Sequence, residues 1–281
     1  MPNLNDAFYQ LRNELQPLYG AQEAAAIAHE VMFHLTGMDK LQRLVEKEKQ
    51  LSATQDDQLA KMLSELKTGR PMQYVLGHAW FMGREFNVNE HVLIPRPETE
   101  ELVQWIVDDI KEQNITLLDI GTGSGCIPIS LKLTLRDANI TSCDISEYAL
   151  QVAQENVQQL GAEVNFIQLD FLQSEHWQQL GSYDVIVSNP PYIPVTERET
   201  LHTNVRDFEP ELALFVPGND AQLFYREIAA FGKTHLKTGG TIYCELHVDY
   251  AEATQRLFEE YGYKATIKKD MHGNLRMLKA V

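Results

Sequence analysis

Leu117-Leu118-Asp119-Ile120-Gly121-Thr122-Gly123-Ser124-Gly125 is an apolar strand that runs into a glycine-rich turn, and its reading decides the fold. Glycines in such a turn let the backbone approach a ligand closely, and the helix that follows offers unpaired N–H groups at its N-terminus. A dinucleotide site needs G-x-G-x-x-G to wrap a pyrophosphate. Here the pattern is G-x-G-x-G, with Asp119 two residues before the first glycine. A carboxylate there suits a ligand with an ammonium group better than one with phosphates. Pro128 lies in the following helix, which tolerates it if it falls in the first turn.

Downstream of the turn, strands alternate with helices. Residues 115–120, 140–144, 164–168, 184–188 and 241–246 are the strand candidates, and the alternation predicts an α/β fold with a mostly parallel sheet covered on both faces. Residues 263–269 and 275–281 flank Asp270-Met-His-Gly-Asn and read as an antiparallel hairpin closing the sheet edge. Upstream, Pro97 precedes a helix over 98–110. The helical period disappears from Tyr74 to Val88, where Phe81, Gly83, Phe86 and Val88 predict a β-hairpin turning near Gly83. Before that, Leu4, Phe8, Leu11, Leu15 and Leu18 share one helical face, and Ala24, Ala28, Val31 and Leu35 repeat the pattern. A further helix carries Leu59, Met62, Leu63 and Leu66, starts near Ser52 and Thr54, and stops at Gly69 before Pro71. The chain therefore divides into a small N-terminal helical bundle (1–73), a β-hairpin linker (74–97) and an α/β domain (98–281).

Three strand ends describe one ligand. Gly121, Thr122, Gly123, Ser124 and Gly125 form the turn after the first strand. Asp144 ends the second strand, 23 residues after Gly121, where an acid can accept hydrogen bonds from both hydroxyls of a ribose. Asp170-Phe171 follows the third, and a carboxylate beside an aromatic ring can bond an adenine amino group while the ring covers the base. With Asp119 facing an ammonium, the ligand is a nucleoside with an amino-acid tail, the shape of S-adenosylmethionine. A glycine-rich turn alone is often only a tight connection, and a lone strand-end Asp is often a helix cap. Their order and spacing on successive strands favour the joint reading.

Val185-Ile186-Val187-Ser188-Asn189-Pro190-Pro191-Tyr192 is a strand ending in a stiff, polar and aromatic segment. Two consecutive prolines fix φ and remove two backbone donors, so their carbonyls can only accept. Asn189 adds a side-chain oxygen and Tyr192 a flat surface, so Asn189, Pro190, Pro191 and Tyr192 are built to hold an NH₂. An amide nitrogen is a poor nucleophile because its lone pair is delocalised. Acceptors on both N–H bonds, from the Asn189 side chain and the Pro190 carbonyl, would raise electron density on it and aim it at a methyl donor. Asn189, Pro190 and Tyr192 are the candidate catalytic residues, acting through orientation and fixed dipoles; no metal is needed.

The chain has 281 residues, 44% of them apolar, with 40 acidic against 24 basic side chains and a formal charge of −16. That balance argues against extended, non-specific binding to nucleic acid. Residues 1–75 hold 8 Lys/Arg and 10 Asp/Glu, so nearly all of the excess lies later. No run of 18 apolar residues is present, and Met1-Pro-Asn-Leu-Asn-Asp-Ala lacks the basic segment and apolar core of a secretory signal. Cys126, Cys143 and Cys244 form neither a C-x-x-C pair nor a disulfide framework. A cytoplasmic protein with no membrane partner is expected.

The chain resembles the HemK family of protein glutamine N5-methyltransferases from about Arg70 onward, with a similar helical domain before it. Gly69-Arg-Pro-Met-Gln-Tyr-Val-Leu-Gly77 and Val92-Leu-Ile-Pro-Arg-Pro-Glu-Thr-Glu100 are similar to that family's two linker motifs. The resemblance implies a seven-stranded Rossmann-like S-adenosylmethionine-dependent methyltransferase domain with an antiparallel last strand. It also implies cofactor binding through residues 121–125, Asp144, Phe171 and Asn189, and a helical domain that engages the protein substrate. The implied substrate is the glutamine of a Gly-Gly-Gln loop in a peptide chain release factor, held by residues 189–192. Two places differ: Val216-Pro-Gly-Asn-Asp-Ala221 stands where the family usually has Gly-Gly-x-Asp-Gly-Leu, and Leu246-His247 replaces a frequent Ile-Gly after Glu245. Asn-Pro-Pro-Tyr would also suit an exocyclic NH₂ on a flipped DNA base, against which stand the linker motifs and the want of a basic recognition domain. A non-catalytic nucleotide-binding module would have no use for the NH₂-holding segment.

Overall fold

A computed structural model describes residues 1–112 and 114–281. The chain forms two compact units, one of Met1–Gly77 with His202–Phe208 and one of His78–Leu201 with Glu209–Val281.

The smaller unit holds α1 (Leu4–Thr36), α2 (Lys40–Val45), α3 (Ala53–Leu66) and α4 (Met72–Leu76). Ser52 caps α3 in a reciprocal box with Gln55, and Asp39 caps α2 in the same way with Gln42, each satisfying donors that the helix itself cannot. The predicted apolar stripe of α1 is buried at Leu4, Leu11, Leu15, Ala24, Ala28, Val31 and Leu35. Leu18 departs from it and is 56% exposed. The cause is local: with Pro17 inside the helix, the chain leaves helical geometry at Gly20 (φ 78, ψ 169). Tyr19 turns inward instead and donates its hydroxyl to the Leu66 carbonyl at 2.8 Å. Helical structure also continues past Tyr74, where the sequence period fades, because α4 makes one further turn ending at Gly77 (φ 78).

In the larger unit β1 (His78–Phe81) and β2 (Arg84–Asn87) form the expected antiparallel hairpin, with positive φ at Met82 and Gly83 as a two-residue turn requires. Then follow α5 (Pro97–Asp109), β3 (Thr116–Ile120), α6 (Cys126–Thr134), β4 (Asn139–Asp144), α7 (Glu147–Leu160), β5 (Asn165–Gln168), β6 (Tyr183–Ser188), α8 (Thr203–Phe208), α9 (Glu211–Leu214), α10 (Leu223–His235), β7 (Leu236–Glu245), α11 (Ala251–Glu260), β8 (Ala265–Lys269) and β9 (Leu275–Ala280); of these, α8 belongs to the smaller unit. Seven strands make one sheet in the order β5-β4-β3-β6-β7-β9-β8. The last strand, β9, is antiparallel to both neighbours, and the other neighbouring pairs are parallel. Pro128 sits at the third position of α6, where no intrahelical N–H is lost.

Side chains alternate along the strands between two cores. Leu117, Val185 and Val187 pack with Leu102, Ile106 and Val157 of α5 and α7, while Leu118 and Ile186 pack with Ile228, Phe231 and Phe258 of α10 and α11. Both faces are covered, as the strands' near-continuous apolar runs require. β7 begins five residues earlier than its apolar run, because Leu236 already pairs with Tyr183 across an irregular register. Gly240 permits this close approach: a Cβ there would lie 2.9 Å from the Asp184 carbonyl. Strand order reverses between β3 and β6, and in open α/β sheets the crevice at the carboxyl ends there is the ligand site.

Candidate active site

At that crevice the chain turns from β3 into α6. Gly121, Gly123 and Gly125 all have positive φ. A Cβ at Gly125 would lie 2.9 Å from Ile129 Cδ1 and 3.1 Å from Ala153 Cβ, so helix packing forbids a side chain there. Gly121 and Thr122 donate their N–H groups to the Cys143 carbonyl at 2.9 and 3.1 Å, which ties the turn to β4. Asp144, at the end of β4, accepts from Gly123 N through Oδ2 and from Ser146 N through Oδ1, both at 2.9 Å. Burial pushes its carboxyl upward against these hydrogen bonds. Each carboxylate oxygen keeps a lone pair for a ligand hydroxyl.

A cavity of about 380 Å³ opens at these strand ends, lined by Gly121, Thr122, Gly123, Ser124, Asp144, Asp170, Phe171, Asn189, Pro190 and Pro191 among others. Phe171 is anchored from behind: its ring packs on Trp177 and Phe231 at 5.6 and 5.3 Å, and Trp177 Nε1 donates to its carbonyl. Asp170 Oδ1 accepts from Leu172 N.

Three of the residues chosen from sequence lie elsewhere. Gly125 caps α6 and is buried against Ile129 and Ala153, outside the cavity lining. Asp119 is fully buried behind the wall; Ser142 Oγ donates to its Oδ2 at 2.6 Å and in turn meets Thr122 Oγ1 at 2.6 Å. Its Oδ1 has no hydrogen-bond partner among the described residues, and burial pushes the carboxyl up to about 8. Tyr192, expected as a flat platform, does not line this cavity. Its hydroxyl donates to Glu245 Oε1 at 3.2 Å, its ring meets His247 edge-on, and burial raises it well above the usual phenol range.

The sequence reading also missed functional neighbours. Thr99, in the first turn of α5, lines the cavity; it accepts from Asn189 Nδ2 at 3.2 Å and donates to the buried Glu245 Oε2 at 2.5 Å. His91 and Tyr148 stack at 4.7 Å and line it as well. The segment carrying Thr99 is fixed by Glu209, whose buried carboxylate accepts from Ile94 N at 3.2 Å and from Arg96 at 2.5 Å. The 92–100 motif was the available signal, but spacing alone gives no indication that it borders the strand ends.

Family models of the Methyltransferase small domain and the PrmC N-terminal domain match residues 99–206 and 6–77. The release factor glutamine methyltransferase of Bacteroides thetaiotaomicron is 42% identical over 271 residues, 96% of this chain and 97% of that one. The chain belongs to the release factor glutamine methyltransferase family. The enzyme of the same description from Flavobacterium psychrophilum is 45% identical over 78% of both chains. Among solved structures, the hMettl16 catalytic domain in complex with a MAT2A 3′UTR hairpin superposes with a TM-score of 0.56 at 16% identity, covering 82% of each chain, a likeness of fold. The protein is thus a methyltransferase of the seven-stranded α/β class, and its methyl donor is S-adenosylmethionine. Among the described residues no helix is long and apolar enough to cross a membrane.

Proposed function

We propose that this family member methylates the side-chain amide nitrogen of the glutamine in a Gly-Gly-Gln loop of a peptide chain release factor, in the cytoplasm. The observation that carries the reading is the setting of Asn189. Its Nδ2 is engaged by Thr99, so Oδ1 is the atom left to accept an N–H from a planar NH₂ at the cavity wall.

The site fits the donor. Its volume lies within the range of small-molecule sites, roughly 300–1,000 Å³. The Asp144 carboxylate offers paired acceptors for ribose hydroxyls, and Asp170 and Phe171 flank the place for a base. The buried Asp119 carboxyl reaches the wall through Ser142 and Thr122, and with its pKa raised to about 8 it acts there as a hydrogen-bonding group that holds the turn rather than as a charge facing an ammonium. When bound, S-adenosylmethionine supplies a methyl group on a sulfonium centre. The chain's own residues then hold the amide: Asn189 Oδ1 and the Pro190 carbonyl accept its two N–H bonds, localise the lone pair and point it along the line of displacement. Transfer of that methyl group to the held nitrogen would leave a neutral thioether on the donor, and the alkylated nitrogen would release its proton to water. The N-terminal helical domain, read from the sequence as residues 1–73 with a linker over 74–97, would dock the protein substrate, and the acidic balance disfavours DNA as an alternative.

The test is direct. A release factor incubated with the enzyme and S-adenosylmethionine should gain one methyl group on the Gly-Gly-Gln glutamine by mass spectrometry, and a Gln→Glu substrate none. Methylated duplex DNA with no release-factor product would overturn the assignment.

A further inference from the structure

Asn189 lines the cavity, but an asparagine amide has two nearly isosteric ends of opposite hydrogen-bonding character. Turned one way it offers an acceptor to the cavity, and turned the other way a donor. Nothing in residues 189–192 decides between them.

A chain of three side chains does decide. Glu245 ends β7 and is buried, with both oxygens of its carboxylate engaged. Its backbone carbonyl accepts from Tyr225 at 2.9 Å, and Oε1 accepts from Tyr192 at 3.2 Å. An ionised carboxylate has only lone pairs to offer. The hydroxyl hydrogen of Thr99, 2.5 Å from Oε2, must therefore point at Glu245. That leaves Thr99 Oγ1 with lone pairs alone on its other side, and the Asn189 atom 3.2 Å away must be the NH₂.

We propose that Glu245, acting through Thr99, is a positioning residue for methyl transfer: it fixes the Asn189 amide so that Oδ1 is the acceptor presented at the cavity. The inference rests on the reading of Asn189 as the acceptor for the substrate amide. The same carboxylate holds Tyr192, so both ends of the 189–192 segment are tied to one buried acid. Protonation would turn one oxygen of Glu245 into a donor and allow the relay to reverse. The charged and titratable groups around Glu245 are Glu98 of the Thr99 helix, Cys126 of α6, Tyr192, Tyr225 and Arg276. Burial and Glu98 push its carboxyl upward, against the hydrogen bonds from Thr99 and Tyr192 and the charge of Arg276.

The experiment compares T99V, T99S, E245Q, N189A and the T99V/N189A pair in the full-length protein. The readouts are kcat and KM for a release factor, S-adenosylmethionine affinity by calorimetry, and melting temperature. T99V keeps the side-chain shape and severs the relay, so kcat should fall about 10²-fold, the scale of one misplaced preorganised dipole, with cofactor affinity within about twofold. T99S restores the hydroxyl and should recover most of kcat. The T99V/N189A pair should be no slower than N189A alone, because both changes remove the same acceptor. In wild type kcat should fall in mild acid, and T99V should lack that limb. If T99V does not fold, E245Q carries the test: an amide cannot accept on both sides as the carboxylate does, so kcat should drop while cofactor affinity holds. Near-normal turnover of T99V or E245Q, equal losses in T99V and T99S, or additive losses in the pair would each overturn the relay. A dead N189A beside an active T99V would sink the relay alone; an active N189A would sink the acceptor reading with it.

Discussion

Asp144 does two things with one carboxylate. It holds the glycine turn through Gly123 and the start of α7 through Ser146, and its remaining lone pairs face the cavity. Asp144→Ala therefore removes the ribose acceptors and unties the turn together. Hydrogen bonds to a charged group contribute about 1.5–3 kcal/mol each, so calorimetry should show S-adenosylmethionine affinity reduced by about 100-fold or more; unchanged affinity would remove this strand end from the site. Asp119 behaves differently, because burial raises its pKa from the usual carboxylate range to about 8. Between those two values the folded chain keeps a proton that the unfolded chain has lost, so its contribution to stability is fully present in acid and falls as pH rises toward 8. Asp119→Asn removes the titration. The melting temperature of the variant relative to wild type should climb steadily from pH 5 to pH 8, and a difference independent of pH would show that Asp119 is ionised throughout.

Most of the elements were legible because each had a local cause. Ser52 and Gln55 mark the start of α3, Met82-Gly83 sets the hairpin turn, and Pro97 opens α5 at its first position. What stayed hidden was produced by contacts between distant residues. Thr99 and Glu245 are 146 positions apart and meet only because α5 and β7 bring their ends to one crevice. Asp119 and Asp144 look alike in sequence as strand-borne acids, yet one side chain ends behind the cavity wall and the other within it. Leu18 fits the helical period and is exposed because α1 kinks two residues later at Gly20. In the glycine turn the local and distant requirements coincide. Gly125 needs a left-handed backbone, which costs a side-chain-bearing residue about 1–2 kcal/mol, and it also lies where Ile129 and Ala153 leave no room for a Cβ. Gly125→Ala should lower stability in chemical denaturation by about 2 kcal/mol or more and weaken cofactor binding by shifting the turn. A variant as stable as wild type would mean that α6 can move aside freely.

At the scale of the whole molecule the larger unit alone lines the cavity proposed for the methyl donor, so recognition of a protein substrate calls for a separate feature. The docking role proposed for the smaller unit calls for an exposed surface there, and its α2 has one that its own packing does not explain. In α2 the buried side chain is Arg43, which donates to the Met38 carbonyl at 2.5 Å and lies 2.9 Å from His29 Nδ1. Leu41, Leu44 and Val45 are 73%, 67% and 85% exposed, at spacings that place them on one helical face. An amphipathic helix normally turns its apolar face inward, and here the arrangement is reversed. An exposed apolar face is the kind of surface that the proposed docking role would use. Replacing Leu41 and Leu44 by Ser and Val45 by Thr should leave stability nearly unchanged, since surface substitutions are usually within about ±0.5 kcal/mol. Cofactor affinity and turnover of a short Gly-Gly-Gln peptide should also be preserved, because neither uses this helix. KM for an intact release factor should rise about tenfold, roughly 1.4 kcal/mol of lost contact. An unchanged KM for the intact protein would show that this face does not dock the substrate, and a loss on the short peptide as well would show that the substitutions act on the catalytic unit instead.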